Sequence, residues 1–330
     1  MSEVIDIHLH FGAPEGEGSP CYWSTEFTHS MAYLAMLVVT GSLFKKVNIH
    51  RIKEKLLKVI NSSQKVDKVV LLAMDEVYDN QGNAHRGETH LFVPNYYLAN
   101  LAFENERVLF GASVHPYRDD WESEMEFCLS NGAVLCKWIP SSMQIDPSHQ
   151  KCLPFYEKLV EADLPLLCHC GPELAIPTSN NDYEKFNNPK YLKNALDVGV
   201  KVIVAHCSMP FWGVFEDDSD FLQLGEMLTH ADDNNWNLYA DLSALCIPMR
   251  EPYIKKVRET FPWHRLVFGS DYPIPITEFT YNASASIFKK IQLFLKSLAT
   301  KNPLDKNYIL VQGMQLGDDI FNNASQILRY

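Results

Sequence analysis

Short apolar runs repeat along the whole of this 330-residue chain, each followed by a stretch in which apolar residues recur every three to four positions. Val4, Ile5 and Ile7 open the first run, which ends in His8-Leu9-His10 and a glycine turn. Further runs at residues 66–74, 108–114, 133–139, 164–170, 200–207, 236–242 and 265–269 are nearly continuous in apolar residues, the composition of strands covered on both faces. The intervening spacing predicts helices at 51–61, 94–105, 121–130, 153–162, 190–198, 221–232, 252–260 and 286–298, and a tail helix at 320–328. Strands alternating with helices in this way predict an α/β protein built as a single closed (β/α)8 TIM barrel, with an N-terminal loop and helix insertion and a C-terminal helix. An open doubly wound sheet is the rival. It goes with fewer strands and a glycine-rich first turn, whereas the turn here reads Phe11-Gly12-Ala13-Pro14. No repeat or low-complexity linker divides the chain, so one domain is expected over residues 1–330.

In a parallel barrel the functional groups sit where the strands end. Those ends carry His8, His10, Asp75, His115, Lys137, His169, His206, Asp241 and Asp271. Side chains alternate along a strand, so His8 and His10 share a face and Leu9 takes the other. A His-x-His pair alone is a weak signal. Its weight comes from Leu166-Leu167-Cys168-His169-Cys170-Gly171, Val202-Ile203-Val204-Ala205-His206-Cys207 and Leu266-Val267-Phe268-Gly269-Ser270-Asp271, which deliver two more imidazoles and a carboxylate in the same manner. Imidazole and carboxylate donors together suit a divalent metal. Alternation turns Cys168 and Cys170 away from His169, which argues against a thiolate site. His115 and Asp75 are read evenly as pocket lining or turn structure. Asp241 is read as structural or as orienting a ligand histidine. His115, Glu173 and Arg250 are the candidate substrate contacts.

The net charge of −12 excludes a basic phosphate-binding surface and with it nucleic acid as the expected partner. The eight cysteines include no Cys-x-x-Cys pair, and most lie inside apolar runs as buried thiols. With no basic-then-apolar leader at the start, they predict a reducing, cytoplasmic setting. The most apolar segment, residues 31–44, is too short to span a bilayer and is read as a core helix or a wall over the site; no membrane partner is expected.

His8-Leu9-His10, Lys137, His169, His206, Gly269-Ser270-Asp271 and the closing Phe321-Asn322-Asn323-Ala324-Ser325 follow one another in an order that resembles the type 2 branch of the amidohydrolase superfamily, which holds metal-dependent hydrolases and decarboxylases. The resemblance implies that His8, His10 and Asp271 bind one ion and that His169 and His206 bind a second. Lys137 stands where binuclear members carry a carboxylated lysine bridging two metals; in a mononuclear centre it would be free to bind a substrate carboxylate. Zinc is the first expectation for the ion and manganese the second. The implied activity is attack of metal-activated water on an amide, ester or lactone carbonyl of a small molecule, with Asp271 as general base and then acid. The alternatives are a single-metal, non-oxidative decarboxylase of an aromatic or enol carboxylate, and a barrel that binds a ligand or metal without turnover. Loops 13–48, 77–91 and 172–188 would wall the pocket, with Tyr22, Trp23, Phe27, Tyr78 and Tyr183 as aromatic lining. A homodimer is the commonest oligomer for such a chain.

Overall fold

The computed structural model describes residues 3–329 apart from 17, 44, 46, 213–216, 275, 277–285 and the Met31 side chain. The eight expected strands form one sheet: β1 (Ile5–His10), β2 (Lys68–Leu72), β3 (Val108–Ala112), β4 (Ala133–Trp138), β5 (Leu166–Cys168), β6 (Val202–Val204), β7 (Leu238–Asp241) and β8 (Leu266–Val267). Each pairs in parallel with its sequence neighbours. The two edges meet through Ile7 N to Phe268 O (3.2 Å), Asp271 N to His8 O (2.8 Å) and His10 N to Tyr272 O (2.9 Å). The sheet thus curls shut as an α/β TIM barrel.

All eight strands contribute to an inner apolar cluster, among them Ile5, Ile7, Val70, Leu135, Leu167, Ile203 and Val267. Ala324, Ile327 and Leu328 of the tail join it. The tail is fixed there by Arg329 N to Val134 O (3.1 Å) and Asn323 Nδ2 to Leu266 O (2.7 Å). Carbonyls at the starts of β4 and β8 thus hold the tail, which stops the barrel at its N-terminal mouth and leaves the opposite mouth for the site. A larger cluster packs the outer strand faces against the helices. Ile49–Ser62, for example, starts on Asn48, whose side chain accepts from Arg51 N, and buries Ile49, Ile52, Leu56 and Ile60.

Two expectations change. The strands expected at 164–170, 200–207 and 265–269 are shorter, because the chain bends out of the ladder as it reaches its polar residues. A helix not expected from the sequence, Pro303–Gly313, begins on Asn302, whose side chain accepts from Leu304 N and Asp305 N. Of the two forms expected of residues 31–44, the described part takes that of a wall over the cavity. Helix Met31–Val39 turns Ala32, Ala35 and Met36 to a cavity and leaves Leu34 and Val38 exposed, while Phe44 lies outside the described residues. Tyr22–Trp23 pairs antiparallel with Leu91–Phe92, tying the first two long loops together at the same mouth. Among the described residues no helix is long and apolar enough to cross a membrane.

Candidate metal centre

The pairing register of β1 on β2 shifts between Asp6 and Leu9. Such a bulge breaks strict alternation. Ile7 therefore stays in the inner cluster while His8, the next residue, turns its ring to the mouth, and Leu9 packs outward. His8 Nδ1 lies 2.7 Å from Asp241 Oδ2. With the proton on Nδ1 donated to that carboxylate, Nε2 keeps its lone pair. His8 Nε2 stands 3.2 Å from His10 Nε2 and 3.7 Å from Asp271 Oδ1, and His10 Nε2 stands 3.0 Å from the same oxygen. These three groups, from opposite ends of the sequence, converge on one point.

His169 and His206 complete the ring around it, their centroids 5.3 Å apart, with His206 stacked on His8 at 5.0 Å. His169 follows β5, its N–H donating to Trp138 O (2.9 Å), and Gly171 makes the turn after it at φ +87°, where a Cβ would meet Ser208 O at 3.0 Å. His206 sits beyond β6 in a left-handed run with Cys207 and Ser208 (φ 55°, 50° and 54°), and Asp271 is left-handed as well (φ 63°). Non-glycine residues held there cost on the order of 1–3 kcal/mol each, and such outliers gather at functional sites. Lys137 projects inward from β4, fully buried, with Nζ 3.4 Å from His8 Nε2. Among the described residues no carboxylate lies within ion-pair distance of that amine.

Burial drives the imidazoles of His8, His169 and His206 below the ordinary histidine range, Lys137 adding to the effect at His8 and His8 at His206. Burial likewise lowers Lys137. The rings are neutral at pH 7 and their lone pairs are available. One is conspicuously unused: His169 Nε2 is buried without a hydrogen-bond partner among the described residues. An orphaned nitrogen of that kind is costly unless something satisfies it. A divalent cation would, and the four imidazoles with Asp271 are a donor set that fits one.

Asp241 and Ser243 form the layer behind. Asp241 Oδ1 accepts from His206 N (2.8 Å) and Ser243 N (3.0 Å) and from the Ser243 hydroxyl. That hydroxyl oxygen also lies 2.7 Å from His206 Nδ1 and 3.1 Å from His8 Nδ1. Gly269 lets the layer close up, since a Cβ there would stand 3.0 Å from His8 Cβ and 3.2 Å from Ser243 Cβ. Asp6 accepts from Ser270 N (2.8 Å) and His8 N (3.2 Å), fixing the turn to Asp271; burial pushes its carboxyl up to about 7. Sequence reasoning missed Ser243, which carries no signal, and Asp6, whose signal was available as a lone carboxylate inside an apolar run.

Of the three residues expected to meet substrate, Arg250 lines the cavity, buried, donating to Met209 O, Pro210 O and Ala244 O. Glu173 lines it too, yet Oε1 accepts from Ala175 N and Ile176 N and Oε2 faces His169 Nδ1 at 3.4 Å. The carboxylate thus orients that ring. The structure does not bring His115 to the cavity. Its Nε2 is 2.8 Å from Met143 O, Nδ1 accepts from Tyr117 N, and its own N–H donates to Asp75 Oδ2, which pairs with Arg118. His115 and Asp75 brace the loops after β2 and β3. Cys168 and Cys170 lie in the outer core, away from the centre, and all eight cysteines are free and buried.

A cavity of about 760 Å³ opens from the centre, bordered by His10, Lys137, His169, His206, Arg250 and Asp271 at its inner end.

The amidohydrolase family model, in its type 2 form, matches residues 5–302. A comparison with curated proteins gave no match. Among solved structures, an uncharacterised TIM-barrel protein from Bordetella bronchiseptica superposes with a TM-score of 0.55 at 15% identity, covering 98% of this chain and 99% of its own. A candidate 2-pyrone-4,6-dicarboxylic acid hydrolase from Pseudomonas putida gives 0.51 at 12% identity over 96% and 100%. A 5-carboxyvanillate decarboxylase from Sphingomonas paucimobilis gives 0.51 at 13% identity over 100% and 99%. At such identities these likenesses speak for the barrel, whereas the family match runs through all the metal-centre residues and identifies the chain as a member of the type 2 amidohydrolase family.

Proposed function

We propose that the protein is a metal-dependent hydrolase of a small-molecule amide, ester or lactone. The observation that carries this reading is the convergence of His8 Nε2, His10 Nε2 and Asp271 Oδ1 on one point, beside a buried His169 Nε2 that has no partner among the described residues. His8, His10, His169, His206 and Asp271 would hold zinc or, second, manganese. A bound divalent ion supplies Lewis acidity and lowers the pKa of its water from about 16 to about 7. Asp271 takes the proton from the attacking water and hands it to the leaving group. Arg250, with guanidinium protons beyond the three spent on backbone carbonyls, binds the carbonyl or carboxyl end of the substrate. Burial lowers the pKa of the Lys137 amine, which would react with carbon dioxide to give a carbamate and a proton, replacing a cation that a metal repels by an anionic oxygen donor. A cytoplasmic setting fits eight free, buried thiols.

Decarboxylation is the second reading. It is favoured if Lys137, whose Nζ stands 3.4 Å from His8 Nε2, stays an amine, since the centre then lacks an anionic bridging donor for a second ion. The test is elemental analysis of protein purified without chelator, combined with ¹³C NMR after equilibration with labelled bicarbonate. Two ions per chain and a carbamate resonance support hydrolysis. One ion without the resonance moves the assignment to decarboxylation, and no ion overturns both.

A further inference from the structure

The cavity has two chemically different ends. Among the described lining residues, charged and imidazole groups are confined to the metal centre. Beyond it, under helix Met31–Val39, the described walls are mainly hydrocarbon, from Trp23, Phe27, Met36, Ile52, Leu56 and Leu91, with the Trp23 indole N–H buried beside Gly12. Each of the two hydroxyls at that end, among the described residues, is tied to the backbone of its own helix. Ser30 Oγ accepts from Tyr33 N (3.1 Å), and Thr40 Oγ1 donates to Met36 O (2.8 Å). The helix itself, Met-Ala-Tyr-Leu-Ala-Met-Leu-Val-Val, has no charged residue with which to meet a ligand. At the rim Leu174 and Trp212 add exposed apolar surface.

Such an arm rewards one kind of ligand. A charged group moved into it would lose its hydration and meet no opposite charge among the described lining residues of that end. A methylene moved into it gains about 0.8 kcal/mol. The volume, about 760 Å³, lies within the range of roughly 300–1,000 Å³ that encloses drug-sized molecules. A small polyanion would leave most of it empty.

We infer that the substrate is a hydrophobic acyl compound. Its single polar head, the reacting carbonyl or carboxyl, lies at the metal centre beside Arg250, and its alkyl or aryl body extends beneath helix Met31–Val39. The inference rests on the proposed reaction site for the placement of the head, and on the arm alone for the tail. The N-terminal insertion is then the specificity element, because it supplies Trp23, Phe27, Met36 and the helix in one stretch.

Isothermal titration calorimetry of the metal-loaded full chain with acetate, butyrate, hexanoate, octanoate and decanoate, below their micellar concentrations, reads the tail directly. Affinity is expected to rise about three- to fourfold per methylene, with citrate weaker than octanoate. Met36→Glu, which puts a charge in the arm, and Ala35→Phe, which fills it, are expected to flatten that series. Metal content and circular dichroism confirm that both variants are folded. A flat series in the wild type, citrate binding tighter than octanoate, or a series unchanged in both folded variants overturns the inference. Metal content and hydrolysis of short esters report separately on the reaction. A chain-length series without hydrolysis sinks the proposed reaction and keeps the tail; hydrolysis without the series does the reverse.

Discussion

His8 Nδ1 and Asp241 Oδ2 are 2.7 Å apart although 233 positions separate them in the chain. The same carboxylate holds the His206 backbone N–H with its other oxygen. One residue of β7 therefore sets the tautomer of a histidine on β1 and the position of a histidine after β6.

Asp241→Asn should loosen both. The amide can offer Nδ1 a donor where an acceptor is needed, so His8 loses its preferred tautomer. Metal affinity is expected to fall about 10- to 100-fold, the usual effect of losing such a partner. Competitive titration against a fluorescent zinc chelator measures it. Wild-type affinity in the folded variant would remove Asp241 from this role.

Lys137→Ala removes the anionic donor that the hydrolase reading requires. Activity should be lost and then partly restored by millimolar acetate or propionate, whose carboxylate can occupy the vacated space. An assay with and without the acid decides it. Full activity in the variant without any acid would show that the lysine is not needed as a metal bridge.

Asp271→Asn keeps the shape of the side chain and abolishes its basicity. At saturating metal, kcat is expected to drop about 10²- to 10⁴-fold, the range for a lost general base. Steady-state kinetics of the metal-replete variant checks it, and a kcat equal to that of the wild type would remove Asp271 from the proton transfer.

His115 offers a prediction about stability. Burial holds its folded-state pKa down at about 3, against 6.5 for the free imidazole. Above pH 6.5 the ring is neutral in both states and its contribution is complete. As pH falls below 6.5 the unfolded chain takes up a proton that the folded one refuses, so stability is lost towards pH 3. His115→Leu leaves Met143 O and Tyr117 N without partners, at about 1–3 kcal/mol each. It also removes the proton linkage. The stability gap to wild type, read by urea denaturation, should therefore shrink by up to ~1.4 kcal/mol per pH unit between pH 6.5 and 4.5. An unchanged gap would contradict the burial assignment.

Much of this protein was legible without coordinates. The eight short, near-continuous apolar runs read as strands covered on both faces, and their alternation with helical spacing left a closed barrel as the simplest way to bury them. The strand ends then pointed to His8, His10, Lys137, His169, His206 and Asp271, which the fold brings together. Pattern failed where contacts far apart in sequence take over. Nothing local distinguishes Glu173, which turns to His169, from a carboxylate free to meet substrate. Nothing in its strand-end position tells that His115 spends both ring nitrogens on backbone groups. The bulge between Asp6 and Leu9 and the left-handed turns at His206 and Asp271 are imposed by closure of the barrel and by the Asp241 and Asp6 carboxylates, not by their own residues. Periodicity depends on neighbours along the chain and so is written in the sequence, whereas ring orientation, hydrogen-bond partners and the apolar arm under helix Met31–Val39 depend on neighbours in space and were decided by the tertiary structure alone.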